Sequence, residues 1–311
     1  MRVVKDIEIE KTSSVDELIR KMLDSGGFTA KNLAVAVNIL EKMLRDKNCL
    51  KFLSFPACVV ATGTRGVIKE MVRRKFFDVI ITTCGTLDHD LARSYKNYYH
   101  GSFFVDDKDL HKRGINRIGN VFAPNESYGL IIEEKMKKFL NDMYSEGKKE
   151  ISTFEFCWEL GKRIKKKDSI LFWCYRNRIP MIVPGITDGA VGYQIWQFSQ
   201  DHDFKIDVLK DEQFLSDLIW NAKKSGALIV GGGISKHHVI WWNQFKEGLD
   251  YAIYITTAVE WDGSLSGARP REAISWGKIK ENARFVTVEG DATVYLPMIY
   301  AALLERLKDF R

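Results

Sequence analysis

The feature that most constrains the fold is a series of short, continuous apolar segments that alternate with longer amphipathic segments. An uninterrupted apolar run of about four to eight residues is typical of a strand buried on both faces. Apolar residues three and four positions apart are typical of helices that cover a sheet. The alternation therefore predicts an α/β fold with a doubly wound, mostly parallel sheet. The candidate strands are LKFLSF, FDVIITT, MIVPGIT, FKIDVL, ALIVGGG, YAIYITTA and RFVTVEG.

The N-terminal residues have a different pattern, which predicts a small helical segment. Ser14 and Glu17 occupy the positions of a capping box, and Gly26 and Gly27 end the first apolar periodicity. A second stretch with helical periodicity follows. We therefore predict an N-terminal helical segment at residues 1–48 and an α/β domain at residues 49–311.

The composition argues against several classes of protein. No apolar run reaches the roughly 20 residues that a membrane span needs, and the N-terminal residues lack the apolar stretch of a secretory signal. We therefore expect a cytoplasmic protein. The 5 cysteines have no CxxC spacing, which argues against a disulfide framework and against a zinc site. The formal net charge of +6 is mild and the basic clusters lack a nucleic-acid-binding motif, so we expect no nucleic acid partner.

The loops that follow the predicted strands are the first places to look for a site, because ligands of such sheets bind at the carboxyl ends of the strands. After FDVII, the loop TTCGTLDHDLARS carries Asp88 and His89, and helix capping is the simpler role for Asp88. After MIV, Asp188 is suited to a ribose hydroxyl or an amine, and equally to an Asx turn.

The segment GGGISKHH follows the predicted strand ALIV and contains Gly231, Gly232 and Gly233. Glycines at a strand end allow close approach of the backbone to a ligand, and the following helix N-terminus favours a phosphate. The segment is neither a P-loop nor a complete GxGxxG motif, so it is a weak dinucleotide signal. His237 and His238 are adjacent and point in different directions, whereas a helical metal pair needs a spacing of four residues, so we predict no metal site.

The longest loop, TTAVEWDGSLSGARPREAISWGKI, follows YAIYI and ends near Lys278. Long loops in compact domains are usually functional or disordered, and Trp261 and Trp276 argue against disorder. A lysine that is buried against aromatic surface loses charge more readily and becomes a nucleophile for carbonyl or imine carbons. The simpler alternative is a lysine that snorkels over Trp276 or makes a cation–π contact with it.

Several longer strings in the chain resemble the deoxyhypusine synthase family. They are HKRGINRIGNVFAPNE, TDGAVG, GGGISKHH, DYAIYITTAVEWDGSLSGARPREAISWGKI and EGDATVYLP. The resemblance begins at about residue 52, continues to the C-terminus and is most specific in the last third. It implies a Rossmann-like NAD-binding fold and a homotetramer with active sites between paired subunits.

The resemblance also implies a reaction. Members of the family use NAD to oxidise spermidine to an imine, which an active-site lysine attacks with release of diaminopropane. The aminobutyl group then passes to one lysine of the hypusine-containing translation initiation factor, and the same NADH reduces the product. By resemblance, Lys278 in the WGK motif is the active-site lysine.

The resemblance further implies roles for individual residues. Trp276 is expected to pack against the polyamine chain, Glu272 to hold an amine, and His237 to contact the polyamine and assist proton transfer. The expected cofactor-binding residues are Asp188, Gly231, Gly232, Gly233, Thr257, Ala258, Asp262, Ser266 and Asp291.

At three candidate substrate-binding positions the chain departs from the family pattern. His89, Tyr193 and Leu265 stand where acidic residues are expected. A lost charge-assisted hydrogen bond to an amine costs roughly 1.5–3 kcal/mol, so the sequence leaves open whether spermidine is the donor. Two alternatives also stay open. One is a homospermidine synthase-like transfer to a small amine, and the other is an NAD-binding module without catalysis.

Overall fold

A computed structural model of the chain describes residues 1–308, which form two compact units. The first unit comprises Met1–Phe55, Phe76–Val79 and the described part of Leu215–Arg311, and the second comprises Pro56–Lys75 and Ile80–Phe214. None of the helices in these residues is both long enough and apolar enough to cross a membrane.

The helices are α1 Val15–Ser25, α2 Phe28–Arg45, α3 Cys58–Ala61, α4 Thr64–Arg73, α5 Cys84–Tyr95, α6 Asp107–Lys112, α7 Gly129–Ser145, α8 Thr153–Ile164, α9 Ile170–Asn177, α10 Ala190–Ser199, α11 Val208–Asn221, α12 Gly233–Asn243, α13 Pro270–Ser275 and α14 Ala292–Arg306. The strands are β1 Cys49–Ser54, β2 Val79–Ile81, β3 Tyr99–His100, β4 Ile115–Ile118, β5 Val121–Pro124, β6 Glu150–Ile151, β7 Met181–Ile182, β8 Lys205–Ile206, β9 Lys224–Val230, β10 Leu249–Thr256 and β11 Ile279–Glu289. Short 3₁₀ turns lie at Asn125–Ser127, Gln244–Lys246 and Glu260–Asp262.

The first unit is built on parallel strands in the order β11-β10-β9-β1. β9 is buried along nearly its whole length, which is why its sequence is a continuous apolar run. Helices α2, α12 and α14 pack against strands of this sheet. Because the strands are parallel, the segments that begin at residues 231, 257 and 290 all leave from the same edge.

The N-terminal helices belong to this first unit. The Ser14 hydroxyl accepts a hydrogen bond from the Glu17 N–H and caps α1, and Gly26 ends the helix with a φ of 71°. The left-handed backbone conformation at this position favours glycine, because glycine has no Cβ to clash with the backbone. The N-cap at Ser14 and the glycine end of the helix are therefore confirmed, whereas the Glu17 carboxylate pairs with Lys21. α1 packs against both α2 and α14.

The second unit contains shorter strands. β2 pairs in parallel with β7, β3-β5-β4 form an antiparallel sheet, and β6 pairs in parallel with β8. The predicted strand FKIDVL is only two residues long, as β8. Its residues are exposed or half-buried, so it lacks the doubly covered surface of a strand in a large sheet.

Three buried aspartates of the second unit cap helices that are distant in sequence. Asp88 accepts hydrogen bonds from the first two N–H groups of α10, at 2.9 and 2.8 Å. Asp90 does the same for α9, at 3.0 and 2.9 Å, and also pairs with Arg65 at 2.7 Å. Asp211 caps α8 at 3.1 and 3.2 Å. The expectation that Asp88 caps its own helix is therefore wrong, because this residue lies inside α5.

The predicted α/β class, with a mostly parallel sheet and N-terminal helices, is confirmed. The division of the chain at residues 48 and 49 stays a prediction, and residues 309–311 of the predicted second domain lie outside the described residues.

Candidate active site

The amine of Lys278 lies between two tryptophan rings in the first unit. Its Nζ is 5.1 Å from the ring centroid of Trp276 and 5.9 Å from that of Trp241. Only 8% of Lys278 is exposed, whereas 66% of Trp276 is exposed. Within residues 1–308 the amine makes no hydrogen bond or ion pair with a side chain or carbonyl. It is therefore an amine enclosed by aromatic surface and available to a substrate.

Helix α12 presents a histidine to the same place. The rings of His237 and Trp241 lie one helical turn apart and stack at 5.7 Å with an angle of 26°. Burial lowers the pKa of His237, and the positive charge of Lys278 lowers it further. The imidazole is consequently neutral near pH 7 and able to accept a proton.

A second lysine nearby is more deeply buried and has quite different surroundings. Lys236 is 1% exposed, and its Nζ donates to the carbonyl oxygens of Leu265 and Ala268, at 2.7 Å each. The amine also lies 4.1 Å from the ring centroid of Tyr254. Burial lowers the pKa of Lys236 to about 8. Because its donors are engaged by the protein, Lys236 is not positioned to attack a substrate.

The glycine turn between β9 and α12 lies at the carboxyl edge of the sheet. Gly231 and Gly233 have φ values of 68° and 66°, which favour glycine. No atom lies within 4 Å of the place where a Cβ of Gly233 would stand, so this side of the turn is open. The N-cap, Gly232, offers no side chain to the first N–H groups of α12. Open space beside uncapped N–H groups fits the phosphates of a dinucleotide.

Asp262 and Asp291, the predicted acidic cofactor ligands in the first unit, each accept a hydrogen bond from a backbone N–H of the protein. Asp262 is exposed, its Oδ1 accepts the N–H of Ser264, and hydrogen bonds from the side chain and then the backbone of Ser264 lower its pKa. Asp291 caps α14, with Oδ1 accepting the N–H of Thr293. Asp262 is exposed, and among the described residues the Oδ2 atom of Asp291 has no hydrogen-bond partner, so each carboxylate can still accept a bond from a ribose hydroxyl.

The loop between β10 and β11 is ordered by its own contacts. It contains a 3₁₀ turn and helix α13. Ala258 follows Thr257 at the strand end, and its carbonyl accepts from the buried Arg269. Glu272 is exposed on α13, and its charge acts on Lys236.

The backbone of Lys278 lies at the other edge of the sheet from the glycine turn. Ile279, the first residue of β11, pairs with Leu249, the first residue of β10. The lysine reaches the flank of α12 from there, whereas Asp262 and Asp291 follow the carboxyl ends of the strands. The candidate residues of the first unit thus form one group around α12 and another at the carboxyl edge.

Three further predicted residues lie in the second unit. Asp188 and Tyr193 are exposed before and on α10. His89 is buried in α5, where its Nδ1 lies 2.9 Å from the hydroxyl of Tyr98 and its ring is 5.5 Å from that of Tyr128. Burial lowers the pKa of His89 to about 4. The family pattern places an acidic residue at position 89, and the neutral imidazole of His89 does not replace its negative charge.

Sequence reasoning missed two of these neighbours of the candidate site. Trp241 was detectable, because it follows His237 by four residues on a helix and must share its face. The burial of Lys236 has no local signal, because the carbonyls that bind it are 29 and 32 residues away in the sequence.

The first unit therefore defines an α/β protein with an open glycine turn at the carboxyl edge of its sheet and a buried lysine amine between tryptophans. Residues 17–303 match the family model described as deoxyhypusine synthase. A Picrophilus torridus protein named "Probable deoxyhypusine synthase" is 56% identical over 303 residues, which cover 97% of each chain. A protein of the same name from Thermoplasma acidophilum is 53% identical over 304 residues, again covering 97% of each chain.

A crystal structure from Entamoeba histolytica that carries the name of the same enzyme has a TM-score of 0.65, with 20% identity over 96% of each chain. At this identity the likeness shows the fold alone. The chain belongs to the deoxyhypusine synthase family. The family identified from the sequence is confirmed, and with it the enzyme class, a deoxyhypusine synthase-like aminobutyltransferase.

Proposed function

We propose that this chain transfers the aminobutyl group of spermidine to a lysine of the hypusine-containing translation initiation factor, with Lys278 as the covalent carrier. The observation that carries the proposal is the environment of the Lys278 amine. It is nearly buried, faces two tryptophan rings and has no hydrogen-bond partner within the described residues. Lys236, the other buried amine of the site, is engaged by two carbonyls.

The residues around Lys278 match the needs of an imine exchange. The uncharged lysine nitrogen adds to the carbon of the oxidised polyamine and loses a proton, the diaminopropane nitrogen gains a proton, and the bond from that carbon to the diaminopropane nitrogen breaks. His237 is neutral and adjacent, which suits it to take the proton and return it to the leaving amine. Trp276 and Trp241 provide aromatic faces for the methylenes and cationic ends of a polyamine. Glu272 would hold one amine.

We propose NAD as the cofactor, which when bound accepts a hydride from the polyamine and returns it to the product. Its phosphates would lie at the glycine turn before α12, and its ribose hydroxyls at the carboxylates of Asp262 and Asp291. Thr257, Ala258 and Ser266 would line the same edge. Asp188 is proposed as a further cofactor ligand, and His89, Tyr193 and Leu265 as substrate-binding residues, on the resemblance of their positions to the family pattern.

We also propose a cytoplasmic homotetramer, on family membership. Light scattering of the purified chain checks the assembly, and a fully active monomer would contradict it.

Trapping of the covalent intermediate tests the proposed function. The protein is incubated with NAD and spermidine, reduced with borohydride, and measured as intact protein and as peptides. We expect a gain of one aminobutyl group on Lys278, and none in Lys278→Ala. Lys280→Ala is the matched control, because Lys280 is two residues away and its amine pairs with Asp250 at 3.0 Å.

Each other outcome of this experiment has a defined meaning. An adduct on Lys236 in place of Lys278, or full turnover by Lys278→Ala, would overturn the assignment of the carrier. NAD binding without any adduct would reject spermidine as the donor. A product with putrescine and none with the initiation factor would reject the protein acceptor.

A further inference from the structure

The segment 264–268, called here the 264–268 turn, is fastened to the start of α12 by a buried amine. Lys236 Nζ donates to two carbonyl oxygens of this turn, those of Leu265 and Ala268, at 2.7 Å each. The Lys236 amine also contacts the face of the Tyr254 ring, whose centroid is 4.1 Å from Nζ. A buried polar group of this kind is costly unless all its donors are satisfied, so the pairing of Lys236 with the turn is specific.

The same turn also touches the glycine turn directly. A Cβ added to Gly232 would stand 2.2 Å from the hydroxyl oxygen of Ser266, 2.4 Å from its Cα and 2.7 Å from its backbone nitrogen. The two backbones therefore pack with no space between them. Ser266 therefore lies beside Gly232, the N-cap of α12, which has no side-chain cap.

Other parts of the loop are held by a different cation. Arg269 donates to the carbonyl oxygen of Ala258 and pairs with Glu289 at 2.7 Å, which fixes the beginning of the loop to the end of β11. Within this loop, the hydrogen bonds of Lys236 go to the 264–268 turn. Its loss should release that turn and leave the beginning of the loop in place.

We propose that Lys236 is a positioning residue of the cofactor site, which holds the 264–268 turn against the glycine turn and so presents Ser266 and Asp262 to the dinucleotide. The part of this inference that concerns the dinucleotide rests on the proposed function. The fastening of the turn does not, because it is a property of the chain without ligand.

The amine can fasten the turn in either charge state. Burial lowers the pKa of Lys236 to about 8. A neutral amine keeps two N–H donors, one for each carbonyl, and the ammonium adds a third that faces the Tyr254 ring. The donors are therefore what a variant must remove, and Lys236→Met removes them while keeping an unbranched side chain of similar length.

Hydrogen exchange of the protein without NAD tests the fastening directly. The N–H groups of Gly267 and Ala268 donate to the carbonyl of Ser264 at 3.1 Å, so these amides have protection to lose. In Lys236→Met we expect their exchange to accelerate by about tenfold or more, with residues 257–259 unchanged. Lys246→Met is the matched control, because the Lys246 amine also donates to two carbonyls, those of Trp220 and Ala222, far along the chain from the turn.

Titration with NAD and steady-state kinetics test the consequence for the cofactor. We expect the Kd for NAD to rise by about tenfold in Lys236→Met, and kcat at saturating NAD to fall much less than kcat/KM for NAD. Lys246→Met should bind NAD as the natural chain does. Unchanged exchange of the 264–268 turn in Lys236→Met would overturn the fastening, and unchanged NAD affinity would overturn its role at the cofactor site.

A second variant separates the inference from a general loss of folding. Gly232→Ala drives a methyl group into the backbone of Ser266 while Lys236 is intact, and it should give the same local exchange signature. If neither variant changes exchange at 264–268, the contact has no positioning role. If the natural chain does not bind NAD, the proposed function fails, and the fastening is still decided by the exchange data.

Discussion

Mild acid is expected to destabilise the second unit through His89. This imidazole is buried in α5 beside Tyr98 and Tyr128, and burial lowers its pKa to about 4 from an ordinary value of 6.5, with Arg93 adding a smaller repulsion. Between these two pH values His89 is protonated in the unfolded chain and neutral in the folded chain, so the free energy of unfolding rises with pH. The contribution is fully present above about pH 6.5 and is lost as the pH falls toward about 4.

The size of the effect follows from the two pKa values. Their difference of about 2.5 corresponds to about 3 kcal/mol of the free energy of unfolding, lost between about pH 6.5 and pH 4. Other groups titrate in the same range, so the measurement must be a comparison. His89→Gln keeps a polar group near the Tyr98 hydroxyl and cannot be protonated.

Urea unfolding of both proteins at several pH values between 4 and about 7.5 gives the comparison. The stability of His89→Gln relative to the natural chain should improve by about 3 kcal/mol as the pH falls across this range. Parallel stability curves for the two proteins would refute the claim that His89 is held neutral by burial.

Three further predictions follow from contacts described above or from close packing. Asp90→Asn should lower the free energy of unfolding by about 3 kcal/mol in urea titrations, because Arg65 loses its buried counter-charge and keeps the exposed Asp168 at 3.7 Å; an unchanged midpoint would contradict this. Gly161→Ala should cost about 1–3 kcal/mol, measured as a lower urea midpoint, because the added Cβ would lie 2.1 Å from the carbonyl oxygen of Leu171 and force α8 from α9. The acid limb of the kcat profile should lie below pH 6.5, since the pKa of His237 is lowered, and should vanish in His237→Gln; a limb that persists would assign it to another group.

The sequence predicts the sheet of the first unit well, because a strand covered on both faces must be apolar throughout, as ALIV in β9 is. The same reasoning fails for FKIDVL, whose two-residue strand is held by pairing with β6 rather than by burial of an apolar run. The periodicity of apolar residues indicates which residues of a strand are buried, but it does not indicate which other strand pairs with it.

Some residues of the candidate site were likewise predictable from the sequence, and others were not. The WGK motif led to Lys278 because a family pattern places a lysine beside a tryptophan there. The partners of Asp88 and Lys236 could not be foreseen. Each is set by backbone groups that tertiary structure brings near, and any residue type can provide a backbone N–H or carbonyl.

The distant caps of the second unit have a consequence for how this chain is made. Asp90 accepts hydrogen bonds from N–H groups that lie 80 and 81 residues downstream in the sequence. Asp88 accepts them from N–H groups 102 and 103 residues downstream. As the chain leaves the ribosome, α5 is complete long before either partner exists, and two carboxylates cannot be buried until then. Loops of this length close late, so these two carboxylates are buried only after residue 191 has emerged, and the cap of α8 by Asp211 forms later still.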